Sequence, residues 1–254
     1  HKALNRVDSE HDIDAARLLS LLQQMAEVMA VINNFTEDNF LKLGKVIRDG
    51  HSRARSLAQP PQSNATLDLV EQTTVRESLQ QVENCFGELV AALQFQDIAR
   101  QRLEHIEYNL LNLAQQVARW QAPDSPLPLD ICGSVCALQE QQLRTTTSEF
   151  KRAAPALRNY MNQMGKSLEQ LETALVCDVQ ASNALHAQLL AMAADFDLGQ
   201  QFDRLVAPVC DQLAEFAQWS SLGIDGSKPS IDSLFQKLEQ NYTMTRGRRV
   251  HGRL

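Results

Sequence analysis

The residues ELVAALQFQDIARQRLEHIEYNLLNLAQQVARWQ, numbers 88–121, contain neither glycine nor proline, so nothing in them ends a helix. Along and just before them, apolar or small residues recur at Val82, Cys85, Leu89, Ala92, Ala99, Leu103, Ile106, Leu110, Leu113, Val117 and Trp120. Steps of three and four put these side chains on one stripe of an α-helix, the seam of a bundle or coiled coil. With Val82, Leu89, Leu103 and Leu110 at heptad position a, Asp97 falls at b and Gln101 at f. The acid and the amide are then neighbours, one turn apart, on the face turned away from the core.

The same spacing extends in both directions. Leu18, Leu21, Met25, Val28, Ile32 and Phe35, followed by Phe40, Leu43 and Ile47, predict one helix from Asp12 to about Ala58. Thr36-Glu37-Asp38-Asn39 resembles a cap and offers an alternative start. Pro60-Pro61 stops the first helix, and Thr66 or Asp68 opens the second, which ends near Gln121. The prolines at 123, 126 and 128 make the next break, and Asp130 suits the cap of a third segment. That segment shows Ile131, Val135, Leu138, Gln142 and Phe150, is kinked or interrupted at Pro155, and resumes from Leu157 through Leu175 to Phe196. Asp178 and Ser182 fall on its seam and mark a bend. Gly199 precedes a further helix, Gln201 to about Ser220.

No stretch of useful length alternates as a strand does, so the fold class is all-α. Helices of about 50 residues run on the order of 70–80 Å. Joined by short loops, they predict an elongated antiparallel helical hairpin or four-helix bundle with coiled-coil-like seams. Whether one chain closes that bundle or two chains pair their hairpins is left open by the pattern. The expected organisation is a bundle over 1–220, a linker over 221–229, and a short amphipathic helix with a basic tail over 230–254. The helix displays Ile231, Leu234, Phe235, Leu238 and Tyr242, and the tail carries Arg246, Arg248, Arg249 and Arg253.

Composition excludes several functions. A formal charge of -7 argues against a general nucleic-acid binder. No apolar run reaches the roughly 18–20 residues of a membrane helix, so no membrane insertion is expected. A chain that begins His1-Lys2-Ala3-Leu4 reads as a fragment with sequence upstream. Five cysteines, Cys85, Cys132, Cys136, Cys177 and Cys210, are scattered through helical patterns and fit reduced thiols in a cytoplasmic protein. Cys132 and Cys136 have the spacing of half a metal site, but no second ligand pair accompanies them, so no metal is assigned. There is no glycine-rich phosphate loop, nucleophile elbow or haem motif.

What remains is an outward stripe on the second helix. Asp97, Gln101, Glu104, His105 and Tyr108 supply hydrogen-bonding groups, while Phe95 and Ile98 flank them at g and c. Apolar residues rimming a polar stripe suit a docking surface.

Phe95-Gln96-Asp97 followed by Gln101 resembles the active segment of CheZ-type chemotaxis phosphatases, which carry Asp-x-x-x-Gln after an aromatic residue on a long hairpin helix. The longer run through His105 is also similar to soluble, receptor-like helical proteins of chemotaxis. The first resemblance implies a homodimer of hairpins that binds a CheY-like response regulator and promotes hydrolysis of its aspartyl phosphate. Gln101 would orient the attacking water, and Asp97 would contact the regulator's active-site lysine. The regulator would hold the Mg²⁺, so the chain needs no cofactor of its own. Phe95, Ile98, Glu104 and His105 would form the docking surface. Leu234 and Phe235, in Ser230-Ile231-Asp232-Ser233-Leu234-Phe235, would belong to a tethered helix that grips the regulator. The alternative is a non-enzymatic helical adaptor or receptor-like signalling rod in the same pathway.

Overall fold

The computed structural model describes residues 4–58, 69–119, 129–175, 179–195 and 197–221, with side chains over 16–57, 71–119, 130–175, 185–194 and 197–221. The proline breaks after Ala58 and Arg119, the Asp178 and Ser182 side chains, Cys177, the linker, and the segment bearing Leu234 and Phe235 lie outside the described side chains. Five α-helices account for the described residues, and there is no strand among them: α1 (Leu4–Ala58), α2 (Leu69–Arg119), α3 (Leu129–Ala174), α4 (Val179–Asp195) and α5 (Leu198–Ser221). The all-α expectation holds.

The first three helices have 55, 51 and 46 residues. In α1 the buried seam is Leu18, Leu21, Met25, Val28, Ile32, Phe40, Leu43 and Ile47. Phe35 is only half-buried and Thr36 takes the core place. Ile32, Thr36 and Phe40 are thus two successive steps of four, which locally loosens the three-four winding without ending the helix. In α2 the expected seam is buried at Val82, Cys85, Leu89, Ala99, Leu103, Ile106, Leu110, Leu113 and Val117.

Pro155 does not interrupt α3, so of the kink or interruption expected there the interruption is corrected: one helix runs through the proline. The residue is exposed, so its ring is directed away from the packed interface, and water can reach the backbone around it. Helix α3 ends at Ala174, and α5 starts at Leu198, three residues earlier than the periodicity indicates, with Gly199 inside its first turn.

The chain forms two compact units. Unit 1 holds α1 up to Phe35, α2 from Arg100, α3 up to Ser148 and α5 from Gln201. Unit 2 holds α1 from Thr36, α2 up to Ala99, α3 from Glu149 and α4. Each therefore contains four helical segments of one chain, and no second hairpin is needed to close either.

Contacts within unit 2 fix the directions. His51 stacks on Phe86 at 3.8 Å, and Gly44 faces Leu93, so α1 and α2 run antiparallel. Ser78 donates to Gln170, Gln81 donates to Gln163 at 2.9 Å, and Phe95 meets Phe150 edge-on at 5.2 Å, so α2 and α3 also run antiparallel. Glu172 pairs with His186 and Gly165 faces Leu190, which sets α4 antiparallel to α3. In unit 1, Asn109 donates to Gln139, Gly133 faces Ser220, and Arg144 pairs with Asp211 at 3.8 Å. The topology of each unit is up-down-up-down.

Burial drives this assembly. Leu103, Ile106, Leu110, Leu143, Phe202 and Leu213 are fully enclosed in unit 1, as are Leu43, Val82, Leu89, Met161, Met164 and Leu168 in unit 2. Each such side chain contributes about 1.5–3 kcal/mol of transfer free energy, offset in sum by the ordering of the chain.

Candidate functional site

The α2 seam determines what α2 presents outward. Because Val82, Leu89, Leu103 and Leu110 are buried, positions b, c and f of the same heptads point away from the core. Asp97 at b and Gln101 at f are both exposed, as are Glu104, His105 and Tyr108. Residues four apart on a helix have Cβ atoms about 5–6 Å from each other, so one partner group can meet both Asp97 and Gln101. Asp97 lies in the part of α2 that belongs to unit 2, and Gln101 in the part that belongs to unit 1. Helix α2 is unbroken through both residues.

The flanking residues divide by burial. Ile98 is 49% exposed and Tyr108 67%, so apolar surface does border the stripe. Phe95 is half-buried, with its ring against Phe150, so much of its area is already used inside unit 2. Glu104 is paired with Arg100 one turn back, at 2.6 Å. Such a surface pair is worth well under 1 kcal/mol and opens readily to another partner. Burial and the neighbouring Glu104 raise the Glu107 carboxyl above its ordinary range. An amide at 101 can donate and accept without titrating, and a carboxylate at 97 accepts only.

Elsewhere the described residues hold no cluster of three or more groups able to bind a metal ion. Cys132 and Cys136 are buried, and burial raises both thiols, Cys136 to about 12. Burial also pushes Cys210 up to about 12. A thiol that keeps its proton is neither a good nucleophile nor a good ligand. No described helix is long and apolar enough to cross a membrane.

One polar cluster was not anticipated from sequence. In unit 2, Glu172 on α3 is 8% exposed and lies 3.0 Å from His186 Nδ1 on α4 and 3.9 Å from Arg53 Nε on α1. Its Oε1 is buried without a hydrogen-bond partner. A separate open groove of about 530 Å³ is lined by Thr74 on α2 and by Lys166, Glu169, Gln170, Thr173 and Ala174 on α3. Glu172 directly follows the seam residue Leu171, a position that would face solvent on a three-helix surface. It is buried facing Arg53 of α1 and His186 of α4, and one-helix periodicity does not carry that information.

Compared with family models, with curated proteins and with solved structures, the chain has no match.

Proposed function

We propose that the outward face of α2 docks a CheY-like response regulator and promotes hydrolysis of its aspartyl phosphate. The observation that carries this reading is the exposure of Asp97 and Gln101 one turn apart on an unbroken helix, beside exposed Ile98. The regulator brings Mg²⁺ and the phosphoryl group, and the helper need only hold a water in line for attack at phosphorus. Gln101 supplies an amide that donates to and accepts from that water. Asp97 supplies a carboxylate for the regulator's active-site lysine, while Ile98, Glu104 and His105 add docking contacts. The P–O bond to the regulator's aspartate breaks, and the aspartate carboxylate and inorganic phosphate are released.

A CheY-like regulator charged with acetyl phosphate and mixed with the chain tests this by phosphate release. Acceleration by the parent that falls about 10²-fold or more in Gln101→Ala is expected, in line with losing a group that acts on the reacting water. No acceleration by the parent would sink it. The exposed rim also fits a non-enzymatic adaptor of the same pathway, since docking needs only the apolar and polar groups of the stripe. That reading expects binding that survives Gln101→Ala and an unchanged phosphate lifetime. Because each unit closes from one chain, a homodimer would join through outer faces. Light scattering reads it as twice the chain mass of 28.5 kDa.

A further inference from the structure

The C-terminal half of α1 is basic in an acidic chain. Over residues 42–55 it carries Lys42, Lys45, Arg48, Arg53 and Arg55 against the single acid Asp49, while the whole chain has a formal charge of -7. Arg53 is engaged by Glu172, and Arg55 shares the surroundings of His51 with Glu83 of α2. Lys42, Lys45 and Arg48 are exposed and form no ion pair with a described residue. These residues and the part of α2 that bears Asp97 belong to unit 2.

The register of unit 2 brings the patch to the edge of α2. Gly44 faces Leu93 and His51 stacks on Phe86, so each step along α1 matches one step back along α2. Leu41 is then level with Gln96, next to Asp97, and Lys45 with Ala92. Phe86 and Leu93 share heptad position e, the flank of α2 toward α1. The next position outward is b, which holds Val90 and Asp97. On α1, Gly44 and His51 likewise share one position, with Leu41 and Arg48 next outward and Lys45 beyond them. The Arg48 guanidinium lies along this edge, because a Cβ on Gly44 would come within 3.8 Å of its Nη1 and 3.9 Å of Leu93 Cδ1. Leu41 is 61% exposed and Val90 38%, so both helices contribute aliphatic surface to the groove between them.

Charges of both signs therefore border one groove, Lys45 and Arg48 on α1 and Asp97 on α2. A nucleic acid or an anionic membrane offers negative charge alone and would meet Asp97 with like charge. A protein face with a lysine beside carboxylates fits both walls. The phosphorylation site of a response regulator is such a face, since its Mg²⁺-binding carboxylates and phosphoryl group lie near its lysine. We propose that Leu41, Lys45 and Arg48 form the second wall of the regulator's docking surface, gripping the acidic rim of its phosphorylation site while Asp97 takes the lysine. The opposed charges fix which way round the regulator sits, and the basic wall steers its approach. The choice of partner rests on the reading of α2 above, but the wall needs only docking and no catalysis.

The test is the affinity of the full chain for a CheY-like regulator charged with beryllofluoride, a stable mimic of the acyl phosphate, read by fluorescence anisotropy of the labelled regulator. Lys45→Glu and Arg48→Glu are each expected to weaken binding about fivefold at low salt. That loss should shrink as salt rises, because screening cuts the reach of exposed charges from about 10 Å at 0.1 M to about 3 Å at 1 M. Leu41→Ser should weaken binding at every salt concentration. Lys166→Glu, the same charge change at an exposed site on α3, should leave it unaltered. Parent affinity in both α1 reversals would overturn this proposal alone. No binding by the parent would overturn it together with the proposed function. Binding weakened by the reversals, with no phosphate release by the parent, would sink the catalytic reading and uphold the wall. Reversals that keep regulator affinity but abolish sedimentation with phosphatidylserine vesicles would assign the patch to a lipid surface instead.

Discussion

His51 lies flat on Phe86, with an interplanar angle of 11°. Burial and the nearby Arg55 hold its imidazole below the ordinary value of 6.5, with Glu83 opposing. The sign of the consequence follows from linkage. Below about pH 6.5 the unfolded chain takes up this proton more readily than the folded one, so the stability present above that pH is lost as the pH falls. Urea midpoints at pH 7.5, 6.5 and 5.5 should fall more steeply for the parent than for His51→Gln. A parallel pair of lines would refute this role for His51. The buried thiols have the opposite relation to pH: Cys136 and Cys210 keep their protons throughout the neutral range.

At the scale of the element, α2 was the most legible part of the chain. An unbroken seam with no glycine or proline over 88–121 named both the helix and its outward residues, because exposure follows from phase once the buried stripe is known. Phe95 was read as outward-facing from the same phase. Its position at the flank of the seam left its burial to a ring on another helix, Phe150, which no pattern within α2 reveals. The interruption expected at Pro155 is absent for a related reason: the proline lies on an exposed turn, and packing on either side carries α3 through it.

Two glycines inside these helices make opposite predictions. Around Gly87 on α2 nothing lies within 4 Å of an added Cβ, so Gly87→Ala should raise stability by about 0.5–1 kcal/mol by lowering unfolded-state entropy. At Gly133 the added Cβ would come within 2.5 Å of Ser220 Cβ, so Gly133→Ala should cost about 1–3 kcal/mol through overpacking. Adding Ser220→Gly should recover part of that loss. Chemical denaturation reads all three, and a stabilising Gly133→Ala would contradict the close approach of α5.

At the scale of the molecule, α1, α2 and α3 each contribute to both units, while α4 completes one and α5 the other. The sequence pattern contained the segments but not their grouping, since seams specify which face is buried and not which four faces meet. Leu103→Ala in unit 1 and Leu43→Ala in unit 2 should each destabilise by about 2–5 kcal/mol. Because the three long helices are common to both cores, each change should shift one shared unfolding transition. Two separated transitions in circular dichroism would contradict that coupling.

The closest helix approaches also govern how this chain can change over time. Gly50 and Gly165 give α4 its bed, where an added Cβ would come within 3.2 Å of Leu189 and 3.1 Å of Leu190 respectively, and Gly133 does the same for α5. A fourth helix seated on side-chain-free backbone cannot slide by a turn without striking a Cβ. These glycines therefore act as indexing marks, and lineages carrying this fold should be able to exchange most surface residues of α4 and α5 while keeping those notches in place.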